Sequence, residues 1–171
     1  MIEIREEQET DREAIHKLNE QAFGQPTEAN IVDALRASCP GVVSLVALIN
    51  SRIAGHILFS PVVIESSNGT ITGMGLAPIA VLPEHQRQGI GSKLVRRGIA
   101  RLKDRQCPFV VVVGHAEDYP RFGFERASLH DIRSQWDGIP DEAFMVLMLD
   151  NAAMTGVSGV ARYRSEFDSA V

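Results

Sequence analysis

Residues 42–81 constrain the fold more than any other part of this sequence. Three apolar runs rich in β-branched residues, at 42–49, 53–64 and 70–81, are separated only by residues 50–52 and 65–69, which hold the turn strings Asn50-Ser51 and Ser66-Ser67-Asn68-Gly69. Connections that short join antiparallel neighbours, so three consecutive strands must lie side by side. The period then changes. Apolar residues at helical spacing predict a helix over 90–104, a short valine-rich run predicts a buried-type strand over 109–113, and a last clear strand falls at 143–149. Upstream, residues 2–5 alternate as a short strand. Thr10 with Glu13 reads as a capping box for a helix over 10–23, and a second helix follows Pro26 and stops before Pro40-Gly41. A short irregular or helical piece is expected near Tyr119. The fold class is therefore α/β, in the sense of an α+β mixed sheet. One domain is expected over 1–150, with 151–171 a docked or partly mobile tail anchored by Tyr163 and Phe167.

Composition narrows the function. Lys and Arg number 17 against 22 Asp and Glu, a net charge of -5, where a general nucleic-acid binder usually carries a basic excess. The two cysteines, Cys39 and Cys107, are far apart and suggest neither a disulfide framework nor a metal cluster, so no metal is expected. The first residues have no basic region followed by an apolar one, and no apolar run approaches a membrane span, so a cytoplasmic protein without membrane partners is expected. The charge is unevenly spread. Residues 1–30 hold eight acidic and three basic side chains, whereas 84–105 hold two acidic and seven basic ones.

Inside that basic block lies the most informative string, Gln86-Arg87-Gln88-Gly89-Ile90-Gly91-Ser92, a strand exit that opens a helix. Such a loop presents unpaired backbone N–H groups, its glycines let a phosphate approach, and the helix N-terminus adds partial positive charge. A dinucleotide loop would need a third glycine where Leu94 stands, and a P-loop would need Lys before Ser or Thr after its last glycine. Neither pattern is met. The spacing that remains, Gln86, Gly89 and Gly91 as Q/R-x-x-G-x-G, resembles the coenzyme A pyrophosphate loop of the GNAT superfamily of acyl-CoA-dependent N-acyltransferases.

That resemblance implies a mixed sheet of six or seven strands with about four helices, the fourth strand leading into the loop and the fifth splayed from it to admit pantetheine. It implies acetyl-CoA as co-substrate, held by backbone at Ile79, Ala80 and Val81 and by Gln86, Arg87, Gln88, Gly89, Ile90, Gly91 and Ser92. Pro78, within a strand-like run, reads as an edge or a bulge. In the family a bulge there turns amides toward the thioester carbonyl, the arrangement that stabilises a developing oxyanion. Tyr119, Gly123 and Phe124 resemble the family's Y-x-x-x-G-F segment. Together with GHILFSPV, LAPIAVLPEHQRQGIG and AFMVLML, they resemble its YhbS-like branch, with Asp118 standing where that branch often has an aromatic.

Amine acetylation needs a neutral amine to attack the thioester and a proton for the leaving thiolate. The resemblance makes Tyr119 the general acid. For the base, His115, Glu117 and Asp118 follow the fifth strand, and His115 is the candidate; His56, within a strand, reads as structural. On the 90–104 helix, Leu94, Val95, Gly98, Ile99 and Leu102 fall within roughly 140°. Arg96, Arg97, Lys93 and Lys103 lie off that stripe and read as a solvated face. Arg87 lies in the loop itself, and Arg121 or Arg126 could approach the nucleotide from the other side. The expected reaction is direct transfer of an acetyl group to a primary amine, small-molecule or peptide, in a ternary complex, with a homodimer left open. The alternatives are a non-catalytic acyl-CoA-binding regulator and a nucleotide-binding module.

Overall fold

The structure, a computed structural model, describes residues 1–170. Its contacts group the chain into two compact units, one of residues 1–60, 77–100 and 166–170, the other of 61–76 and 101–165.

In the first unit, strand β1 (Ile2–Glu6) runs antiparallel to β2 (Val43–Ile49), Ile2 opposite Ile49. Strand β2 runs antiparallel to β3 (Arg52–Ser66), Val43 opposite Phe59. Asn50 and Ser51 carry φ of 49° and 67°. Two successive left-handed residues match the right-handed twist of paired strands, and Asn tolerates that region best among non-glycines.

Helix α1 (Arg12–Phe23) is entered through a 3-10 turn over Glu9–Asp11, and its cap differs from the expected one. Asp11 accepts the Gln8 N–H at 2.7 Å and is clamped by Arg5 at 2.6 Å, while Glu13 pairs with Lys17 at 2.9 Å. The 3-10 turn absorbs Thr10, so the first satisfied donor lies two residues upstream of the predicted one. Gly24, φ 69°, ends α1 with its N–H on Glu20 O at 2.9 Å. Helix α2 (Thr27–Ser38) ends as expected before Pro40. Ile15 and Leu18 of α1 and Ala29, Ile31, Val32 and Leu35 of α2 are buried.

Beneath these helices lies a polar chain. His56 is fully buried, its Nε2 2.9 Å from Ser44 Oγ and its Nδ1 3.3 Å from Asn19 Nδ2. The Ser44 hydroxyl donates to Glu7 at 2.6 Å, and Arg36 donates to the same carboxylate at 2.6 and 2.9 Å. One proton order satisfies both ring nitrogens, with Nε2–H donating to Ser44 and Nδ1 accepting from Asn19. Burial pushes the imidazole down to about 4; Glu7 opposes that shift and Arg36 adds to it. Burial alone would raise Glu7, but the hydrogen bonds from Arg36 and Ser44 more than offset it and its pKa is lowered. The unfolded state takes a proton on His56 below about pH 6.5, and the folded state refuses it until about 4. His56-dependent stability is therefore complete above pH 6.5 and falls as the pH drops. Denaturant titration should show ~2 kcal/mol lost between pH 7 and pH 5, a loss that His56→Gln removes over that interval.

In the second unit, β4 (Gly69–Val81) contributes residues 69–76. With it stand β5 (Phe109–Val113), β6 (Glu125–Arg126), β7 (Ile132–Ser134), β8 (Phe144–Met148) and β9 (Gly159–Arg162). The run from Phe109 to Val112 is buried, and its strand is paired on both edges, parallel to β4 and antiparallel to β8. The parallel ladder has three pairs, Met74–Val110 to Leu76–Val112. Pro78 lies beyond its end, after a cis Ala77-Pro78 bond, so its missing N–H removes no bond to β5. β4 stands between β3 and β5 in the sheet order, not at an edge. The segment after Asn151 contributes β9, which pairs antiparallel with β3 and parallel with β7. Next to it, the buried Tyr163 lies against Trp136 with ring centroids 4.8 Å apart.

Among the described residues the strands join in the order β1-β2-β3-β4-β5-β8-β6, with β9 bonded to β3 and β7. The mixed α/β fold is the one expected. Nine strands replace six or seven because β6, β7 and β9 are two to four residues long, too short to show a period of their own. Among the described residues three α-helices replace about four. Near Tyr119 the chain makes only a 3-10 turn over Pro120–Phe122, stopped by Gly123 at φ 100°.

Candidate functional site

The glycine loop belongs to the first unit. Leu82, just past β4, donates its N–H to Ala54 O at 2.9 Å, a 3-10 turn spans Pro83–His85, and Gln86 Nε2 returns to Val81 O at 3.1 Å. The Gln86 side chain thus ties the loop to the end of its strand. Arg87, φ 63°, and Gly89, φ 84°, are left-handed on either side of Gln88. Alternation of hand turns successive N–H groups toward one side, the geometry of an anion-binding nest. Helix α3 (Ile90–Asp104) follows, and Lys93 N–H to Gly89 O at 3.1 Å is an early helical bond. The amides of Ile90, Gly91 and Ser92 precede it in the first turn, where a helix supplies no acceptor four residues back. The Ile90 side chain is buried, so only its backbone is available to a ligand.

The glycines of this unit fall into two kinds. A Cβ on Gly98 would lie 2.3 Å from the Phe59 ring, and one on Gly55 would lie 2.9 Å from Ile90; both are glycine because packing leaves no room. A Cβ on Gly89 would meet nothing within 4 Å, and one on Gly91 would meet only Ile79 Cδ1 at 3.9 Å. Gly89 has its backbone conformation as a reason. Gly91 has no such reason among the contacts a Cβ would make, and its missing side chain leaves open space at the first turn of α3.

Ile79, Ala80 and Val81 end β4; Ala80 is buried, and the other two are partly exposed. Gln86, Arg87, Gln88 and Gly89 are exposed, and Gly91 and Ser92 are partly so. On α3, Leu94, Val95, Ile99 and Leu102 are buried while Lys93, Arg96 and Arg97 are exposed, as the helical stripe requires.

Tyr119 belongs to the second unit, in the turn after β5. Its ring is partly exposed and meets Phe124 edge-on at 5.6 Å and Phe122 at 6.3 Å. Burial, then the neighbouring Asp118 charge, raises its pKa, against a smaller pull from Arg121. Gly114 lies beneath it: a Cβ there would stand 2.4 Å from Tyr119 Cε2. The sequence string contains Gly114, but nothing in it distinguishes a glycine ending a strand from one seating a ring. His115, Glu117 and Asp118 are exposed, and the Asp118 N–H closes a turn on His115 O at 3.1 Å. Arg121 lies 4.9 Å from the Phe122 ring centre and Arg126 pairs with Asp141 at 3.5 Å, so each has a partner within this unit. Among the described residues no group of three or more His, Cys, Asp or Glu could hold a metal, and no helix is long and apolar enough to cross a membrane.

Residues 3–127 match the model of the acetyltransferase (GNAT) domain. The chain is 34% identical over 166 residues to the uncharacterized N-acetyltransferase YhbS of Escherichia coli K12, covering 96% of this chain and 98% of that one. The crystal structure of Escherichia coli YhbS in complex with CoA superposes with a TM-score of 0.89 at 34% identity, covering 98% and 92% of the two chains. A GNAT acetyltransferase from Brucella melitensis in complex with acetyl-CoA gives 0.80 at 33%, covering 98% and 99%. With the family model matching residues 3–127 and the YhbS relative aligned over nearly the whole chain, this chain belongs to the GNAT acetyltransferase family, an acyltransferase of the YhbS-like branch.

Proposed function

We propose that the protein transfers the acetyl group of acetyl-CoA directly to a primary amine, small-molecule or peptide, within a ternary complex. The observation that carries this reading is Gly91, a glycine with no packing or conformational reason to be one, at the first turn of α3. Open space over orphan amides fits a pyrophosphate, which takes several N–H donors at close range. Arg87, exposed at the left-handed position of the loop, adds a cation beside it.

The remaining steps are assigned to the chain's own groups. Backbone amides at Ile79, Ala80 and Val81 stabilise the oxygen on which negative charge develops as the amine nitrogen attacks the thioester carbon. When the carbon–sulfur bond breaks, the Tyr119 hydroxyl gives its proton to the departing thiolate, and the proton that the attacking nitrogen sheds as it becomes an amide restores the phenol. Its raised pKa keeps the phenol protonated, and the desolvation that raises it makes a bound thiolate a stronger base as well. His115 is assigned the proton that the acceptor ammonium must lose, directly or through water. The catalytic domain is proposed to extend over 1–150, with 151–171 docked on it through β9.

Turnover tests the whole reading: acetyl-CoA is supplied with small amines, amino acids and peptides, and thiol release is measured. Release with none of these classes, despite tight acetyl-CoA binding, would leave a binding protein. Arg87→Ala should weaken coenzyme A about tenfold in calorimetry and leave acetyl-pantetheine unchanged, since only the former carries phosphates. Equal losses for both would remove Arg87 from the phosphate site.

A further inference from the structure

Within the first unit, helix α1 meets the sheet with a small and partly polar face. Its buried residues are Ile15, Leu18 and Asn19, whereas α2 buries four apolar residues and is tied down by the bidentate Arg36–Glu7 pair. Among the described residues, the contact of Asn19 Nδ2 with His56 Nδ1 at 3.3 Å is the one hydrogen bond from an α1 side chain to a strand. His16 joins α1 to Asp33 of α2 at 2.7 Å, but that pair lies at the surface, where water weakens it. The polarity of the buried contact is fixed by its surroundings. Asn19 Nδ2 also donates to Ile15 O at 3.0 Å, so the amide nitrogen faces the ring and Nδ1 must be bare to accept from it. Asn19 Oδ1 is buried with no hydrogen-bond partner among the described residues. A proton added at Nδ1 turns that acceptor into a donor, and two donors then oppose each other across 3.3 Å. Rotating the amide offers Oδ1 to the new N–H but sets the same oxygen against Ile15 O. Neither orientation satisfies both contacts.

We infer that Asn19 and His56 form a proton-operated latch, and that protonation of the ring frees α1 from β3 while α2 and the strands stay in place. A protonated ring keeps its Nε2–H bond to Ser44, so the disturbance falls on the α1 arm alone. Two apolar residues then hold that helix, against four on α2. The charged groups facing the ring are Glu7, after β1, which favours a positive charge, and Arg36 of α2, which opposes it. Asp33 holds Arg36 at 3.0 Å, and His16, between Asp33 and Glu20, ends the chain at the surface. Strand β2 faces the ring with Ser44 and Val46, which carry no charge. The freed ring takes its proton near the ordinary 6.5 and the docked ring at about 4, so the opening equilibrium rises about twentyfold from pH 7 to pH 5. Acid thus opens one helix before it unfolds the chain. The latch does not depend on the transfer reaction, since neither Asn19 nor His56 is assigned to it.

Amide hydrogen exchange on the whole protein tests the latch. With urea added below the unfolding transition, α1 amides should exchange through an opening less sensitive to urea than that of β2 and β3, because it exposes less surface. That opening should become about twentyfold more populated from pH 7 to pH 5 once intrinsic exchange rates are corrected for, and His56→Gln should hold it constant. Asn19→Asp, whose carboxylate accepts from a charged ring, should abolish or reverse the rise. Nitrogen NMR of the histidine-labelled protein needs no variant, and at pH 7 it should find the His56 proton on Nε2 with Nδ1 bare. The latch is overturned if α1 shares the urea sensitivity of the strands, or if its opening ignores pH. A pH response that survives in His56→Gln, or a ring proton found on Nδ1, overturns it as well.

Discussion

Gly91→Leu should raise the dissociation constant for acetyl-CoA on the order of 10²-fold while leaving the folded state as stable as before or slightly more so. The two halves of that result have separate causes. Leucine fills the open space above the first-turn amides of α3 and holds a pyrophosphate away from them. Losing two charge-assisted hydrogen bonds at ~1.5 kcal/mol each gives the affinity change. Stability moves the other way, because a Cβ at 91 meets only Ile79 Cδ1 at 3.9 Å and leucine favours a helix over glycine by up to ~1 kcal/mol. Gly98→Val in the same helix is the control. There the added carbon meets Phe59 at 2.3 Å, and the thermal midpoint should fall, with ligand affinity changed only so far as the fold is lost. Calorimetric titration with acetyl-CoA, paired with thermal unfolding, reads both. An unchanged affinity in Gly91→Leu would remove the loop from the binding site.

Glycine is also where reading the sequence and reading the structure part company. Gly89 and Gly91 could be singled out by their spacing to Gln86 and their place at a helix start. The difference between Gly91, which faces open space, and Gly98, which faces Phe59, depends on partners distant in sequence. Periodicity served well where an element was long enough to display it: α3 and β5 lie where the pattern put them, at Ile90–Asp104 and Phe109–Val113. It failed for β9, whose Gly159–Arg162 is held by pairing with β3 and β7 and has no alternation to announce it. The cap of α1 was misplaced because Thr10 and Glu13 satisfy a local rule that the Arg5–Asp11 pair overrides. His56 read as structural from its strand, and its burial agrees. Its partners Asn19, Ser44 and Glu7 come from three other segments, which no local pattern could assemble.

Tyr119→Phe should lower kcat on the order of 10²- to 10³-fold and leave KM for acetyl-CoA nearly unchanged, the range expected when a positioned acid is removed. Phenylalanine preserves the ring contacts with Phe122 and Phe124, so the loss isolates the hydroxyl. Gly114→Ala gives an independent approach to the same group. Its methyl would sit 2.4 Å from Tyr119 Cε2, so the ring must shift and carry the hydroxyl with it. If Gly114 acts by seating Tyr119, Gly114→Ala should cost about tenfold in kcat when the tyrosine is present and almost nothing in the Tyr119→Phe background. A merely structural role would cost the same in both. The pH profile supplies a second check. Burial and Asp118 hold the Tyr119 pKa above its ordinary value, so the phenol stays protonated through neutral pH and its loss of activity belongs to the alkaline limb. Asp118→Asn removes one of the two causes and should move that limb to lower pH, whereas in Tyr119→Phe the same substitution should leave the profile where it was. Full activity of Tyr119→Phe, or an alkaline limb that ignores Asp118 while Tyr119 is present, would transfer the acid role to another group or to water.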